Sequence, residues 1–302
     1  MSYLDKICKS YFSDNFKFSD IFNYYLFNGN PVIKECDLKD KNIESISNIN
    51  IEQYDSKFRD ILKECVIKTD DRFNYLLLGI ENQSKIDKEM VLRVLEYDIR
   101  EYKKQYENNF KNNKSNVKIN KKILPIITIV IYYGNDIWNA PRSLYDYFYN
   151  IDSNILKYIP NYKLNLICPK EINEEDLNKF KSDFKIIIEY IKSSDDRNKL
   201  LKTCNKYQIL NKETSLIIKE ALKSKNINIV LNTDKEETNM CKAIEDLYND
   251  GLEKGKIEGK IEGKEEATHE YVTLLHKSGM DNIKISEILK IDIEKVNQIL
   301  NC

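Results

Sequence analysis

The sequence predicts an α/β protein with a mixed central sheet flanked by helices, followed by a helical C-terminal region. Three observations predict it. Tyr75–Ile80 is a short apolar run that reads as a buried strand. Pro125–Tyr133 is dominated by β-branched and apolar residues, the pattern of a strand covered on both faces. Segments with helical spacing of apolar residues precede, separate and follow these two runs.

In chain order, Ser2–Phe12 is the first predicted helix, with Leu4, Ile7, Cys8 and Tyr11 on one face. Ser19–Phe27 is the second, with Ser19 as its N-cap and Asn28-Gly29-Asn30-Pro31 as its end. A first strand is expected within Val32–Glu52, at Asn42–Ile46. Tyr54–Lys68 and Tyr75–Ile80 then form an antiparallel hairpin around the polar Thr69-Asp70-Asp71-Arg72. Asp87 is the expected N-cap of a helix running to Tyr106, with Met90, Val91, Val94, Leu95 and Ile99 apolar. Tyr106–Lys122 is a Lys/Asn-rich loop, either a basic segment that touches phosphate or a solvated insertion. Tyr162–Cys168 is a last strand, halted by Pro169. Residues 173–247 turn helical, a cap over the sheet. In the tail, Gly251, Gly255, Gly259 and Gly263 recur every four residues, in a helix or a linker. Two short helices around Ile291–Ile293 close the chain and are similar to a small helix-turn-helix. The domains expected are 1–170, 171–247 and 248–302.

Composition narrows the chemistry. The 302 residues carry a formal net charge of −1, so any nucleic-acid contact must be local rather than a global basic field. Seven scattered cysteines without a CxxC argue for reduced thiols in a cytoplasmic protein. No signal peptide or run long enough to span a bilayer is read. The two histidines, His269 and His276, both lie in the tail. A Ser-His-Asp triad or a His-rich metal site therefore cannot be built in the main domain, and hydrolysis there would run on carboxylates and a metal.

One spacing points to such a site. Glu81 and Gln83 end the apolar strand at i and i+2, so they share a face, either as a functional pair or simply where the strand meets water. With the hairpin turn at residues 69–72, partner numbers sum to about 141, which sets Asp60 opposite Glu81 about 5 Å away. Two carboxylates so placed repel unless a cation or proton sits between them. Mg²⁺ suits one or two carboxylates completed by water and phosphate oxygens. Asp20, on the second helix, reads from its position as an ordinary helix-dipole residue.

Asp60 on one strand, Glu81-Asn82-Gln83-Ser84 on the next, then Asp87, Arg93 and Tyr97 resemble the PD-(D/E)XK nuclease core. Within it the chain resembles the Rpn family of recombination-promoting nucleases, the YhgA-like transposases. Leu78-Gly79-Ile80 and Leu124–Gly134 support the likeness, which runs from Asp5 to Gly263. The resemblance implies a restriction-endonuclease-like fold and cleavage of double-stranded DNA that promotes recombination. It also implies Mg²⁺, or Mn²⁺ in its place, on Asp60, Glu81 and the Asn82 carbonyl. Gln83 stands where the superfamily has a lysine; an amide orients water but brings no charge. The resemblance implies that Arg93 and Tyr97 flank the active site or DNA and offers Asp20 as a further site acid; Lys85 and Arg100 are further candidate DNA or phosphate contacts, and Arg93, Tyr97 and Arg100 equally read as a solvated helix face. A non-catalytic binding module, dimerising through the tail, is the competing reading. A DDE-type transposase is disfavoured, because Asp60 and Glu81 are too close in sequence for its layout.

Overall fold

The structure, a computed structural model, describes residues 3–41, 60–69, 72–111, 122–231 and 235–301. The strand expected at Asn42–Ile46 and the start of the Tyr54–Lys68 strand lie outside the described residues. The chain forms two compact units, Met1–Ala243 and Ile244–Cys302. Residues 1–170 and most of the helical cap therefore share one unit.

The first unit is built on a five-stranded mixed sheet: β1 (Leu38–Asp40), β2 (Ile61–Thr69), β3 (Arg72–Gln83), β4 (Ile126–Tyr132) and β5 (Asn165–Ile167), in spatial order 1-2-3-4-5. β1 pairs antiparallel with β2, and β2 with β3; β4 is parallel to β3, and β5 to β4. Ile61 pairs with Ile80 and Thr69 with Arg72, so the partner sum of 141 holds along the hairpin. β4 is buried on both faces, with Thr128, Ile129, Val130, Ile131 and Tyr132 all shielded. Its parallel pairing requires a crossover, which helix α3 (below) supplies.

Helix α1 (Tyr3–Tyr11) buries Leu4, Ile7, Cys8 and Tyr11, as the spacing predicts. Helix α2 (Asn15–Phe27) begins four residues before the expected Ser19. Asp14 is its N-cap, accepting from the amides of Phe16 (2.8 Å) and Lys17 (3.4 Å). Ser19 lies inside the helix, and its hydroxyl donates back to the Phe16 carbonyl. The helix ends at Asn28 (φ 54°) and Gly29 (φ 82°). Gly29 is required there twice over, since a Cβ would also lie 2.7 Å from Lys179 Cβ.

Helix α3 (Met90–Tyr106) starts three residues after Asp87, whose side chain caps a turn by accepting from the Glu89 amide at 2.8 Å. Met90, Val91 and Val94 pack on Val130 and Tyr132 of β4. Short helices α4 (Ser153–Leu156) and α5 (Glu174–Leu177) flank β5 in sequence. Then come α6 (Phe184–Ser193), α7 (Arg197–Lys206) and α8 (Lys212–Leu222), with a two-stranded pairing of β6 (Ile209–Asn211) and β7 (Glu237–Asn239) that the sequence pattern did not suggest. Asp183 ties cap to core. It accepts from the hydroxyls of Tyr11 (2.5 Å) and Thr214 (2.5 Å) and from the Asn211 amide (2.7 Å).

Helix α9 (Met240–Lys277) crosses the division between the units, so the glycine repeat is helical. In the second unit, α10 (Asn282–Leu289) and α11 (Ile293–Leu300) form the two short helices expected around Ile291. Val272, Ile285 and Val296 make that unit's small core. Among the described residues no helix is long and apolar enough to cross a membrane.

Candidate metal and phosphodiester site

The site forms where β2 begins and β3 ends. β3 continues past its pairing with β2, so Glu81, Asn82 and Gln83 are laddered only to β4. The Tyr133 amide donates to the Gln83 carbonyl at 2.8 Å. Main-chain groups alternate in direction along a strand, so those of Asn82 face the other edge, where Asp60 stands. The Asn82 amide indeed donates to Asp60 Oδ2 at 2.9 Å. The Asp60 amide lies 3.4 Å from Glu81 Oε2 and donates to it. Each carboxylate is therefore held by a backbone amide of the neighbouring strand end, Asp60 by that of Asn82 and Glu81 by that of Asp60.

Glu81 is only 3 % exposed. Its Oε1 accepts from Gln83 Nε2 (3.3 Å) and from Arg93 Nη2 (2.9 Å). Arg93, one turn into α3, also donates through Nη1 to Asp87 Oδ2 at 2.5 Å and through Nη2 to the Tyr97 hydroxyl at 3.3 Å. Its Nε is buried with no hydrogen-bond partner among the described residues. Burial lowers the Arg93 pKa, but the bonds to Tyr97 and Asp87 and the charge of Glu81 outweigh it and hold the guanidinium firmly charged. Burial pushes the Asp60 carboxyl above its ordinary value, against the pull of the Asn82 amide and with the negative charge of Asp5 adding to the rise. The Tyr97 hydroxyl is also raised, by burial and by Glu81, with Arg93 opposing.

The remaining expected residues fall elsewhere. Asp20 lies in the second turn of α2, and its carboxylate is taken by the chain entering α6. It accepts from the Lys181 amide (2.9 and 3.1 Å), the Ser182 amide (2.8 Å) and the Ser182 hydroxyl (2.6 Å). Arg100 pairs with Glu96 along α3 rather than with Arg93 and Tyr97. Lys85 is exposed on the bend just beyond Gln83.

The oxygen-only donors suit a hard cation. Among the described residues there is no group of three or more His, Cys, Asp or Glu arranged for a metal. An ion here would take Asp60, Glu81 and the Asn82 carbonyl, and would complete its shell with water or substrate oxygens.

A family model described as "Putative transposase, YhgA-like" matches residues 3–220. The chain belongs to the YhgA-like transposase family. The match spans the sheet, α3 and most of the cap, and ends before the glycine repeat. No curated protein and no solved structure matches the chain.

Sequence reasoning missed the Asn82 side chain, Tyr133 and Cys8, which complete the surroundings of Asp60 in this YhgA-like chain. Asn82 Nδ2 donates to Asp60 Oδ2 at 3.2 Å, and the Tyr133 hydroxyl donates to Asn82 Oδ1 at 3.0 Å. Strand parity held part of the signal. Tyr132 ends β4 and Tyr133 follows it in extended order, so their side chains diverge to opposite faces, and Tyr133 turns to the Asn82 side.

Proposed function

We propose that this chain is a metal-dependent DNA endonuclease of the PD-(D/E)XK type. One observation carries the reading: Asp60 and Glu81 converge at the carboxyl end of β3, with the Gln83 amide beside them. Mg²⁺ or Mn²⁺ bound there would lower the pKa of a water and offset charge on the scissile phosphate. Glu81 and Asp60 would hold the ion, and Gln83 would orient the attacking water through its amide oxygen. Arg93 offers the phosphate a planar donor fork at the edge of the site. The substrate we infer is double-stranded DNA, the setting the cytoplasm, and the outcome hydrolysis that promotes recombination.

The tail supplies a second copy of the chain as partner. The repeat Gly255-Lys256-Ile257-Glu258, Gly259-Lys260-Ile261-Glu262 sets four stripes about 100° apart on α9. Ile257 and Ile261 are 53 % and 55 % exposed, with lysines on one flank and glutamates on the other. Two-fold symmetry makes unlike flanks meet in a parallel pair and like flanks meet in an antiparallel one. The charges thus select a parallel homodimer.

Plasmid nicking by the purified protein, with Mg²⁺, Mn²⁺ or EDTA, tests the activity. Wild type should nick with metal only, and Asp60→Ala and Glu81→Ala should not. Equal nicking by all three proteins would sink the assignment. The neutral Gln83 is the one feature that favours a non-catalytic binding module, for which Asp60→Ala would change nothing.

A further inference from the structure

Asp60 precedes the first laddered residue of β2, so the sheet does not fix its side chain. What fixes it is Asn82. The main-chain amide (2.9 Å) and the side-chain amide (3.2 Å) of Asn82 converge on the same carboxylate oxygen, Oδ2. Among the described residues no hydrogen bond is made to Oδ1.

A primary amide has two ends of similar shape and opposite polarity. Turned over, the Asn82 side chain would set its oxygen against Asp60 and repel it. The Tyr133 hydroxyl prevents this by donating to Asn82 Oδ1 at 3.0 Å. Tyr133 is 1 % exposed, and the thiol of Cys8, itself fully buried on α1, lies beside its hydroxyl. The donors run in one direction, from Tyr133 to Asn82 to Asp60, and aligned hydrogen bonds polarise one another.

We propose that Tyr133 is a positioning residue for the metal ligand Asp60, acting through the side chain of Asn82. The proposal rests on the reading of Asp60 and Glu81 as a cation site. Tyr133 touches neither the cation nor DNA. Its hydroxyl selects the amide orientation that pins Oδ2 and aims Oδ1. Loss of such an outer-shell partner typically weakens metal affinity by about 10- to 100-fold.

The test is Mn²⁺ affinity, read by electron paramagnetic resonance on the full chain, for wild type, Tyr133→Phe, Asn82→Ala, the double variant and Asp60→Ala. Tyr133→Phe should weaken Mn²⁺ by about 10-fold, and should add nothing once Asn82 is alanine, because both act along one path. In nicking assays Tyr133→Phe should raise the metal concentration needed for half-maximal rate and restore most of the rate at saturation. A tyrosine needed only for packing would lower the melting temperature without moving either readout. Should Tyr133→Phe fold poorly, Asn82→Ala must by itself weaken Mn²⁺ at least as much. Wild-type affinity in Tyr133→Phe or in Asn82→Ala, or additive losses in the double variant, overturns the proposal while leaving the cation site standing, provided Asp60→Ala loses Mn²⁺. No Mn²⁺ binding by wild type overturns both.

Discussion

Replacing Asp20 by alanine should destabilise the first unit without touching cation binding. Asp20 is 3 % exposed and its carboxylate satisfies three donors: the amides of Lys181 and Ser182 and the Ser182 hydroxyl. Alanine leaves both amides facing a void. The hydroxyl can turn away, since it already accepts from the Phe184 amide at 3.3 Å. Hydrogen bonds to a charged acceptor contribute about 1.5–3 kcal/mol each, so two orphaned amides cost about 4 kcal/mol. For a domain of this size each kcal/mol lowers the melting temperature by about 2–4 °C, which makes the expected fall about 8–16 °C. Asp20→Asn keeps one acceptor oxygen and should lose about half as much. Urea or thermal unfolding reads the stability, and Mn²⁺ titration of the folded variant reads the site. An unchanged melting temperature, or loss of Mn²⁺ binding by a folded Asp20→Ala protein, would refute the structural role given to this acid.

Three further outcomes are expected. Arg93→Gln removes the cation that competes at Glu81, so Mn²⁺ should bind at least as tightly while nicking slows; weaker binding together with an unchanged rate would contradict this. Asp183 is pulled below the usual carboxylate range: burial acts to raise it, but bonds from Thr214, Tyr11 and Asn211 and the charge of Lys17 prevail. A depressed carboxylate stabilises the fold above its unfolded pKa and loses that contribution as pH falls through the folded value. The stability gap between wild type and Asp183→Asn should therefore be full near pH 7 and shrink below about pH 4. Within α9, a Cβ on Gly259 meets nothing within 4 Å, so Gly259→Ala should strengthen the local helix by about 1 kcal/mol, seen as slower amide exchange around it; faster exchange would mean that the backbone there is needed bare.

What was legible in the sequence followed from local rules. The polar residues Thr69–Arg72 and the apolar runs beside them predicted the hairpin register, and the ladder from Ile61–Ile80 onward follows it, with the Asp60 amide just beyond donating to Glu81. The β-branched run ending in Tyr133 marked a strand buried on both faces. What escaped depends on contacts distant in sequence. Asp20 reads as a first-turn acid until Asp14 is known to start the helix, and its true partners lie some 160 residues on. Asp87 has the chemistry of an N-cap, yet it caps a turn and holds Arg93. Lys63 of β2 is fully buried, which no local pattern in the sequence marks. Its ammonium donates to the Ser13 carbonyl (2.9 Å), Asn15 Oδ1 (2.6 Å) and Asp40 Oδ1 (3.1 Å), locking the α1–α2 junction to the sheet. The link from Tyr133 to Asn82 needs the parallel register of β3 and β4, which no local pattern encodes.

The stoichiometry of Mn²⁺ binding to wild type, Asp60→Asn and Glu81→Gln tests the central claim most directly. A shared ion between the two acids predicts one site per chain, lost in either variant although both remain folded. A site that survives both substitutions, or none in wild type, would contradict it.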